Sequence, residues 1–416
     1  MPSMTGRGRP DRSSAARTPC TRRRFLRLAA AAPLAATAGC GASSPTQSAA
    51  VQAGSATVAL ARVRSYGSEA AAGLRQVLDL LGGIGSLVRG KTVTVKVNLT
   101  GWPFQTIGGL PPGETYVTHG DTALALARIL SENGARRIRF VESQGVALPL
   151  ESVVASAGWD LPALSAITGV ELENTRNLGY GRAYSRLRVS DGGRLFSYFD
   201  LNHSYEETDV FISLCKMKEH PSAAGLTLSL KNLFGLTPNS LYGSEGVGED
   251  RLGNRAPIHD AAEGGGRLLP GERTGFQREA VGVRVPRTIV DLNLARPAQL
   301  AIVDGITTVR GGEGWWNPDT RPFSPGLLVA GWNALATDAV CATLMGFDPR
   351  APHYTAPFET RENHLLLAEQ AGLGTADVSQ IDVRGLRLPD VRTPFRAPGA
   401  SRPPQPSIAG GGTPIG

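Results

Sequence analysis

The sequence predicts an α/β protein with a mostly parallel or mixed sheet flanked by helices, arranged as one domain or as two α/β lobes. Short runs rich in β-branched residues recur between residues 57 and 387. Segments with the apolar spacing of helices separate these runs. Hydrophobic residues make up 41% of the 416 residues, which suffices for a large core.

Strands alternate with helices in the first half of the predicted domain. Residues 92–97 alternate with β-branched side chains and predict a strand. A helix follows, with Thr118 as the expected N-cap and Gly134 as the expected stop. The next predicted elements are strand 137–141, helix 151–157, strands 170–172, 186–189 and 194–199, and the apolar strand 209–215. This order favours parallel strands joined by crossovers.

The alternation resumes after an interruption. Residues 243–285 are rich in Gly, Glu and Arg without an apolar period, which predicts a long surface insertion. Residues 222–235 fit a helix and a strand equally well. The Pro/Gly-rich residues 388–416 predict a disordered tail. Between these segments we predict helix 288–294, strands 300–304 and 326–330, helices 334–345 and 362–371, and strand 381–383.

The formal net charge of +7 belongs to the N-terminal segment. Residues 1–40 contain eight arginines and one acid, whereas the remainder has equal numbers of basic and acidic residues. This balance gives no support for nucleic-acid binding by bulk charge.

The same N-terminal segment has the features of an export signal. Residues 21–26, Thr-Arg-Arg-Arg-Phe-Leu, resemble the twin-arginine signature, and the apolar stretch 28–38 is too short to span a membrane. Residues 37–40 resemble a lipobox in which Cys40 would be lipidated, simple cleavage being the alternative. We therefore predict a signal peptide over 1–40 and a flexible linker over 41–56. The twin-arginine export machinery would deliver the protein to the periplasm or cell envelope, with membrane contact only through the lipid. The alternative is a basic tail on a cytoplasmic protein.

Two cysteines, Cys215 and Cys341, lie beyond this leader. Two thiolates are too few for a four-thiolate iron–sulfur cluster, so no such cluster is expected. Both residues lie in apolar runs, which favours buried free thiols over a disulfide.

Lysine is rare in this chain. Of 43 basic residues only five are lysine, and three of these fall between residues 216 and 231. The lysine ammonium is compact and becomes nucleophilic when neutral, whereas guanidinium is neither. The retained lysines therefore suggest a role that arginine cannot fill, with chance clustering as the alternative.

Polar residues follow four predicted strands, where ligands bind in open α/β sheets. They are Lys96, Asn98, Glu142, Ser143, Lys216, Lys218, His220 and Asp304. If residues 216–220 are extended, Lys216, Lys218 and His220 face one side and need an anion between them, such as a phosphate, carboxylate or enolate. The alternative is a solvated sheet edge.

Two further segments carry candidate residues. Lys231 and Asn232 lie in an apolar setting, so Lys231 is expected to be semi-buried and to need a partner. Gly312 and Glu313 belong to a Gly-Gly-Glu-Gly run that could form an anion nest or a plain turn. A metal site built from His and acidic residues is open, but their spacing does not show it.

Residues 91–385 resemble the family called domain of unknown function 362. The motifs that carry the resemblance include Lys96-Val97-Asn98-Leu99-Thr100-Gly101, Lys216-Met217-Lys218-Glu219-His220, Ser229-Leu230-Lys231-Asn232-Leu233-Phe234-Gly235, Gly311-Gly312-Glu313-Gly314 and Ala336-Thr337-Asp338-Ala339-Val340. Some relatives carry a ferredoxin-like iron–sulfur module, whose cysteines this chain lacks. The resemblance implies a domain over 57–387 and no established reaction.

The leading hypothesis is an exported enzyme that acts on, or with, a small anionic ligand, with metal assistance left open. The expected catalytic residues are Lys218, His220, Glu142 and Asp304. The expected ligand-binding residues are Lys96, Asn98, Lys216, Lys231, Asn232, Gly312 and Glu313. One variant is a lactate-racemase-like pocket in which Lys and His hold a nickel cofactor. The alternatives are a tethered binding protein without catalysis and a structural envelope protein whose lysines form buried ion pairs.

Overall fold

The computed structural model describes residues 56–190, 193–221, 223–260, 267–274 and 281–396. The predictions on the twin-arginine motif, on Cys40 and on residues 397–416 lie outside these ranges.

Strands and helices alternate along the described residues. The strands are β1 (Thr57–Arg62), β2 (Thr92–Lys96), β3 (Arg137–Glu142), β4 (Val170–Asn174), β5 (Ser185–Arg188), β6 (Tyr198–Leu201), β7 (Val210–Lys216), β8 (Lys218–His220), β9 (Gly225–Thr227), β10 (Leu300–Gly305), β11 (Thr308–Arg310), β12 (Arg321–Phe323), β13 (Leu327–Gly331) and β14 (Asp382–Gly385). The α-helices are α1 (Ser68–Leu80), α2 (Gly85–Val88), α3 (Pro112–Thr115), α4 (Gly120–Glu132), α5 (Leu150–Ser156), α6 (Leu161–Ser165), α7 (Ser229–Asn232), α8 (Asn239–Tyr242), α9 (Ala256–His259), α10 (Val281–Ala295), α11 (Ala334–Leu344), α12 (His364–Gln370) and α13 (Leu388–Val391). Short 3₁₀ turns span His203–Tyr205, Leu233–Leu236 and Val378–Gln380.

Eight strands form one sheet in the order β14-β1-β13-β10-β7-β2-β3-β4. Strand β13 runs antiparallel to both of its neighbours, and every other pair in this sheet is parallel. The predicted α/β fold with a mostly parallel or mixed sheet is confirmed, and these strands share a single sheet rather than two lobes.

The sheet has a hydrophobic core on each face because successive side chains of a strand point to opposite sides. In β7, Ile212 and Leu214 join the core that contains α1 and α4. Phe211 and Cys215 join the core that contains α10 and α11. Both Cys215 and Cys341 are buried free thiols, in agreement with the prediction.

Several local predictions need correction. His119, rather than Thr118, caps α4, because its Nδ1 accepts a hydrogen bond from Asp121 N at 3.0 Å. The ambiguous segment 222–235 contains strand β9 followed by α7, so both of its periodicities are used. The sequence analysis missed β1 and α1.

Two segments expected at the surface or in disorder contribute to the interior. Arg255, Ile258 and His259, within the predicted insertion, are at most 5% exposed. Val391 and Phe395, in the predicted tail, are also buried. Among the residues that the structure describes, no helix is both long and apolar enough to cross a membrane.

Candidate functional site

Lys216 ends β7 on the face of the sheet that packs against α1 and α4. Its Nζ lies 3.1 Å from Asp304 Oδ2 and donates to Tyr66 OH at 2.5 Å and to the carbonyl of Thr307 at 2.8 Å. An ammonium has three donors, so this set of partners satisfies Lys216 completely. Thr122 also donates to Asp304, at 3.2 Å. Lys216 and Asp304 therefore form a closed internal ion pair.

Lys218 has a different set of partners because the chain leaves the central sheet at Met217. Its Nζ donates to Asn98 Oδ1 at 3.1 Å, to the carbonyl of Tyr116 at 2.7 Å and to the carbonyl of Glu313 at 3.2 Å. Burial lowers the pKa of Lys218 to about 7, although three acceptors around one nitrogen favour the ammonium. Residues 216–220 are divided between β7 and β8, and the ammonium groups of Lys216 and Lys218 have separate partners.

Lys96 is the third buried lysine with partners inside the protein. It lies on the opposite face of the sheet from Lys216. Its Nζ lies 2.8 Å from Glu142 Oε1 and donates to the carbonyl of Val97 at 2.7 Å and to Asn232 Oδ1 at 3.4 Å. Glu142 Oε2 also accepts from the backbone N–H of Leu99 at 2.9 Å. Burial lowers the pKa of Lys96, and the charge of Glu142 opposes that shift. Lys96 and Glu142 thus have their hydrogen-bonding capacity filled from within the protein.

Gly235 leaves the space that this ion pair occupies. A Cβ atom at position 235 would lie 2.5 Å from Glu142 Oε1 and 2.6 Å from Lys96 Nζ. We expect Gly235→Ala to lower the free energy of unfolding by about 1–3 kcal/mol, the usual range for overpacking a buried site. Urea denaturation would measure the change. Gly248→Ala is the control, because its Cβ would meet the flexible side chain of Arg251 at 3.2 Å. Equal effects of the two changes would contradict the prediction.

Lys231 is carried by the short helix α7, which neighbouring elements fix in place. The backbone N–H groups of Ser229 and Leu230 each donate to the carboxylate of Asp338 on α11 at 2.8 Å. Asn293 on α10 donates to the carbonyl of Leu230 at 3.0 Å. Burial raises the pKa of Asp338 to about 7, against the effect of the two backbone hydrogen bonds. Contacts from two long helices therefore hold the turn that presents Lys231.

The ammonium of Lys231 differs from those of the other buried lysines. It lies 3.9 Å from the centre of the Phe234 ring, and the residue is 8% exposed. Apart from this ring contact, Lys231 has no hydrogen bond or ion pair within the described ranges. Burial lowers the pKa of Lys231 to about 7, and the positive charges of Arg255, Lys218 and Lys96 lower it further. Lys231 is therefore a buried amine that the fold positions without satisfying.

Three buried imidazoles lie within electrostatic reach of Lys231. Burial and the charge of Lys231 lower the pKa of His259 to about 3 and that of His364 to about 3. The same two causes place the pKa of His220 well below its ordinary value. All three imidazoles are consequently neutral at physiological pH.

Glu313 is an acidic residue whose charge acts on Lys231 and whose carboxylate lies near His220. Its charge acts to raise the pKa of Lys231, and its Oε1 lies 3.8 Å from His220 Nδ1. Trp316 Nε1 donates to Glu313 Oε1 at 2.9 Å. The side-chain amide of Asn317 donates to Oε2 at 2.6 Å when its nitrogen is assigned to the side that faces the carboxylate. These donors hold the carboxylate in one orientation.

The glycine run around Glu313 is needed for close packing. A Cβ at Gly312 would lie 2.1 Å from Thr320 Oγ1, and one at Gly314 would lie 2.2 Å from the Trp316 ring. The N–H of Gly311 already donates to Glu219 Oε2 at 2.9 Å. The N–H of Gly311 is therefore already engaged within the protein, and the close packing explains the glycines at 312 and 314.

The structure thus divides the predicted site residues into a cluster, a network beside it and a separate ion pair. The cluster contains Lys218, His220, Lys231, Glu313 and Asn98. The network beside it contains Lys96, Glu142 and Asn232. Lys216 and Asp304 are satisfied separately. In the described residues, no three His, Cys, Asp or Glu side chains form a group suited to hold a metal ion.

Sequence reasoning missed the residues that complete the cluster. Arg255 and His259 lie in the segment predicted as a surface insertion, and His364 lies in a helix without a motif. Arg255 donates to the carbonyls of Thr237 and Ser143. Asp338 could have been found, since it lies in one of the motifs that carry the family resemblance.

The fold and the site together define a class of α/β protein with buried lysines at the carboxyl edge of a mostly parallel sheet. A family model described as "Domain of unknown function (DUF362)" matches residues 93–343, and the chain belongs to this family. The match runs from β2 to α11 and includes all four buried lysines.

Other comparisons add little to this assignment. A crystal structure of a protein from Thermotoga maritima is similar with a TM-score of 0.37 and 15% identity, over 68% of this chain and 61% of that chain. The chain thus spans less than two thirds of that protein, and we draw no functional argument from the similarity. None of the curated proteins compared with the chain matches it.

Proposed function

We propose that this protein is an enzyme that binds a small anionic ligand beside Lys231 and acts on it. The observation that carries the proposal is the contrast among the buried lysines. Lys96, Lys216 and Lys218 each direct their donors to protein acceptors, whereas Lys231 has no hydrogen-bond acceptor or ion-pair partner among the described residues. A buried cation needs a partner, and a bound ligand would supply it.

The charges around Lys231 favour an anion. Lys218 and Arg255 add positive charge, and Arg361 donates to the carbonyl of His220 at 2.7 Å nearby. Glu313 offsets part of this charge, while Glu142 is already paired with Lys96. A carboxylate or phosphate would therefore be stabilised here.

Small anions should bind more weakly when Lys231 loses its amine. We expect Lys231→Met to weaken the binding of a small carboxylate or phosphate about 10- to 100-fold, as for the loss of one charge-assisted hydrogen bond. Calorimetric titration with a panel of such anions would measure this. Lys91→Met is the matched control, because Lys91 begins the strand region outside the cluster. Unchanged affinity in Lys231→Met would count against the proposal, and turnover of the bound anion would separate an enzyme from a tethered binding protein.

We further propose that the protein is exported through the twin-arginine pathway and anchored through Cys40. The motif at residues 21–26 and the Cys40 context support this proposal. We expect Arg22→Lys with Arg23→Lys to leave the uncleaved chain in the cytoplasm, whereas Arg7→Lys with Arg9→Lys should not. Fractionation and immunoblotting would check this. Cys40→Ala should abolish incorporation of labelled fatty acid, and export of the Arg22/Arg23 variant would contradict the pathway.

The structural alternative fits part of the molecule. Lys96 and Lys216 are ion-paired with Glu142 and Asp304, so their roles are accounted for by stability. Lys231 has no ion pair of this kind among the described residues. The functional proposal therefore rests on Lys231 alone.

A further inference from the structure

We propose that Lys231 forms an imine with the carbonyl group of its ligand, and that this ligand is a 2-oxo acid. The inference rests on the proposed function, because the same site must first bind the anion. It adds the chemical class of the ligand and the bond that the protein makes with it.

The first reason is the environment of the Lys231 nitrogen. Nζ lies 3.9 Å from the centre of the Phe234 ring, a contact that favours the ammonium by only about 0.5–2 kcal/mol. Among the described residues it has no hydrogen-bond acceptor or ion-pair partner. The charged groups that act on it are Arg255, Lys218 and Lys96, opposed by Glu313. With the burial of the residue, this balance brings the pKa of Lys231 to about 7, so near pH 7 a large share of the amine is neutral and its lone pair can attack a carbonyl carbon.

The second reason is that arginine cannot replace lysine in this reaction. The chain has 43 basic residues and uses lysine for only five of them. Guanidinium stays protonated and does not form imines with carbonyl compounds under these conditions. A lysine without any ion-pairing partner, retained in such a chain, is explained by a nucleophilic role better than by a charge-binding role.

The third reason is that a 2-oxo acid matches both properties of the site. Its carboxylate would be stabilised by the positive charges of Lys218 and Arg255, and its carbonyl would meet the neutral amine. Once the imine has taken up a proton from the solvent, the same carboxylate would offset its positive charge. A phosphate or a simple carboxylate would satisfy the charge and leave the amine without a function.

The reaction balances without another reactant. The Lys231 nitrogen attacks the carbonyl carbon, and one proton moves from nitrogen to the carbonyl oxygen to give a carbinolamine. The second nitrogen proton leaves with the hydroxyl group as water, and the C=N bond forms.

Reductive trapping tests the inference on the full chain. The protein would be incubated with pyruvate, glyoxylate, oxaloacetate or 2-oxoglutarate in the presence of sodium borohydride, and analysed by intact mass and peptide mapping. We expect one reduced adduct per chain, at Lys231, with at least one of the four acids. Lys231→Arg, which keeps a basic side chain but cannot form the imine, should lose at least nine tenths of the adduct. Lys91→Met should keep it, and lactate, which lacks the carbonyl, should slow the trapping.

The outcomes separate this inference from the proposed function. If 2-oxo acids or other anions bind in the calorimetric titration but none of the four acids is trapped, the imine is excluded and the anion site stands. If no anion binds and nothing is trapped, both proposals fail. An adduct at Lys91, or one that persists in Lys231→Arg, would also overturn the imine. Melting curves of Lys231→Arg would show that a lost adduct does not reflect an unfolded chain.

Discussion

Lys216→Met should lower the free energy of unfolding by about 3–5 kcal/mol, the range found when one partner of a buried ion pair is removed. The substitution would leave the Asp304 carboxylate, which is fully buried, without its counter-charge. It would also remove the donor to the Tyr66 hydroxyl and to the carbonyl of Thr307. Urea denaturation followed by circular dichroism would measure the loss.

An exposed ion pair provides the control for this prediction. The side chains of Arg75 and Glu132 form an ion pair while 47% and 51% exposed. Glu132→Gln should therefore change stability by about 1 kcal/mol or less. Adding Asp304→Asn to Lys216→Met should restore part of the loss, because no unpaired charge then remains buried. A Lys216→Met variant as stable as Glu132→Gln would show that the pair is not needed.

The same substitution at Lys231 should change the free energy of unfolding in the opposite direction. We expect Lys231→Met to raise the free energy of unfolding at pH 7 by about 2–4 kcal/mol, since each step of one in pKa corresponds to about 1.4 kcal/mol. Burial brings the pKa of Lys231 down to about 7, from 10.5 for an ordinary lysine. On folding, the Lys231 ammonium must therefore either lose its proton or be buried without a counter-charge. In the unfolded chain it stays protonated in water.

The pH dependence gives a second measure of the same effect. Between pH 7 and 10.5 the unfolded chain binds the Lys231 proton and the folded chain releases it, so the contribution of Lys231 to stability rises with pH. The advantage of Lys231→Met over the wild type should accordingly be largest at pH 7 and below, and should disappear towards pH 10.5. Urea denaturation of both proteins at several pH values would test this. A Lys231→Met variant that is destabilised by as much as Lys216→Met would mean that Lys231 has a structural partner. Stability gained together with ligand affinity lost is the expected pattern for a functional residue.

The sequence contained enough to find the lysines but not to distinguish them. The strand ends at Lys96, Glu142, Lys216 and Asp304 follow from hydrophobic pattern and from the rule that ligands bind at carboxyl edges. Which of these residues meet depends on the side of the sheet that each one faces and on the point, Met217, at which the chain leaves the central sheet. A shift of one residue in the strand pairing moves a side chain to the opposite face.

Other parts of the site depend on contacts distant in the sequence. Asp338 and Asn293 fix the turn of Lys231 from helices that begin far along the chain, and Arg255 and His259 come from a segment with no hydrophobic period. Whether a lysine has three acceptors or none is decided by such contacts, because each acceptor comes from a different part of the chain. The strand β1 was missed for a similar reason, since its place between β13 and β14 is set by pairing partners at the other end of the domain.

The reversed direction of β13 would allow a much shorter connection from β10 than the chain uses. Neighbouring antiparallel strands can be joined by a short turn, whereas parallel neighbours need a long crossover. The chain between β10 and β13 nevertheless uses residues 306–326, which include the β11–β12 hairpin and Glu313. The antiparallel pairing of β10 with β13 does not require a connection of this length. The length of this connection is instead explained by what it contributes to the site, since its Thr307 and Glu313 carbonyls accept hydrogen bonds from Lys216 and Lys218.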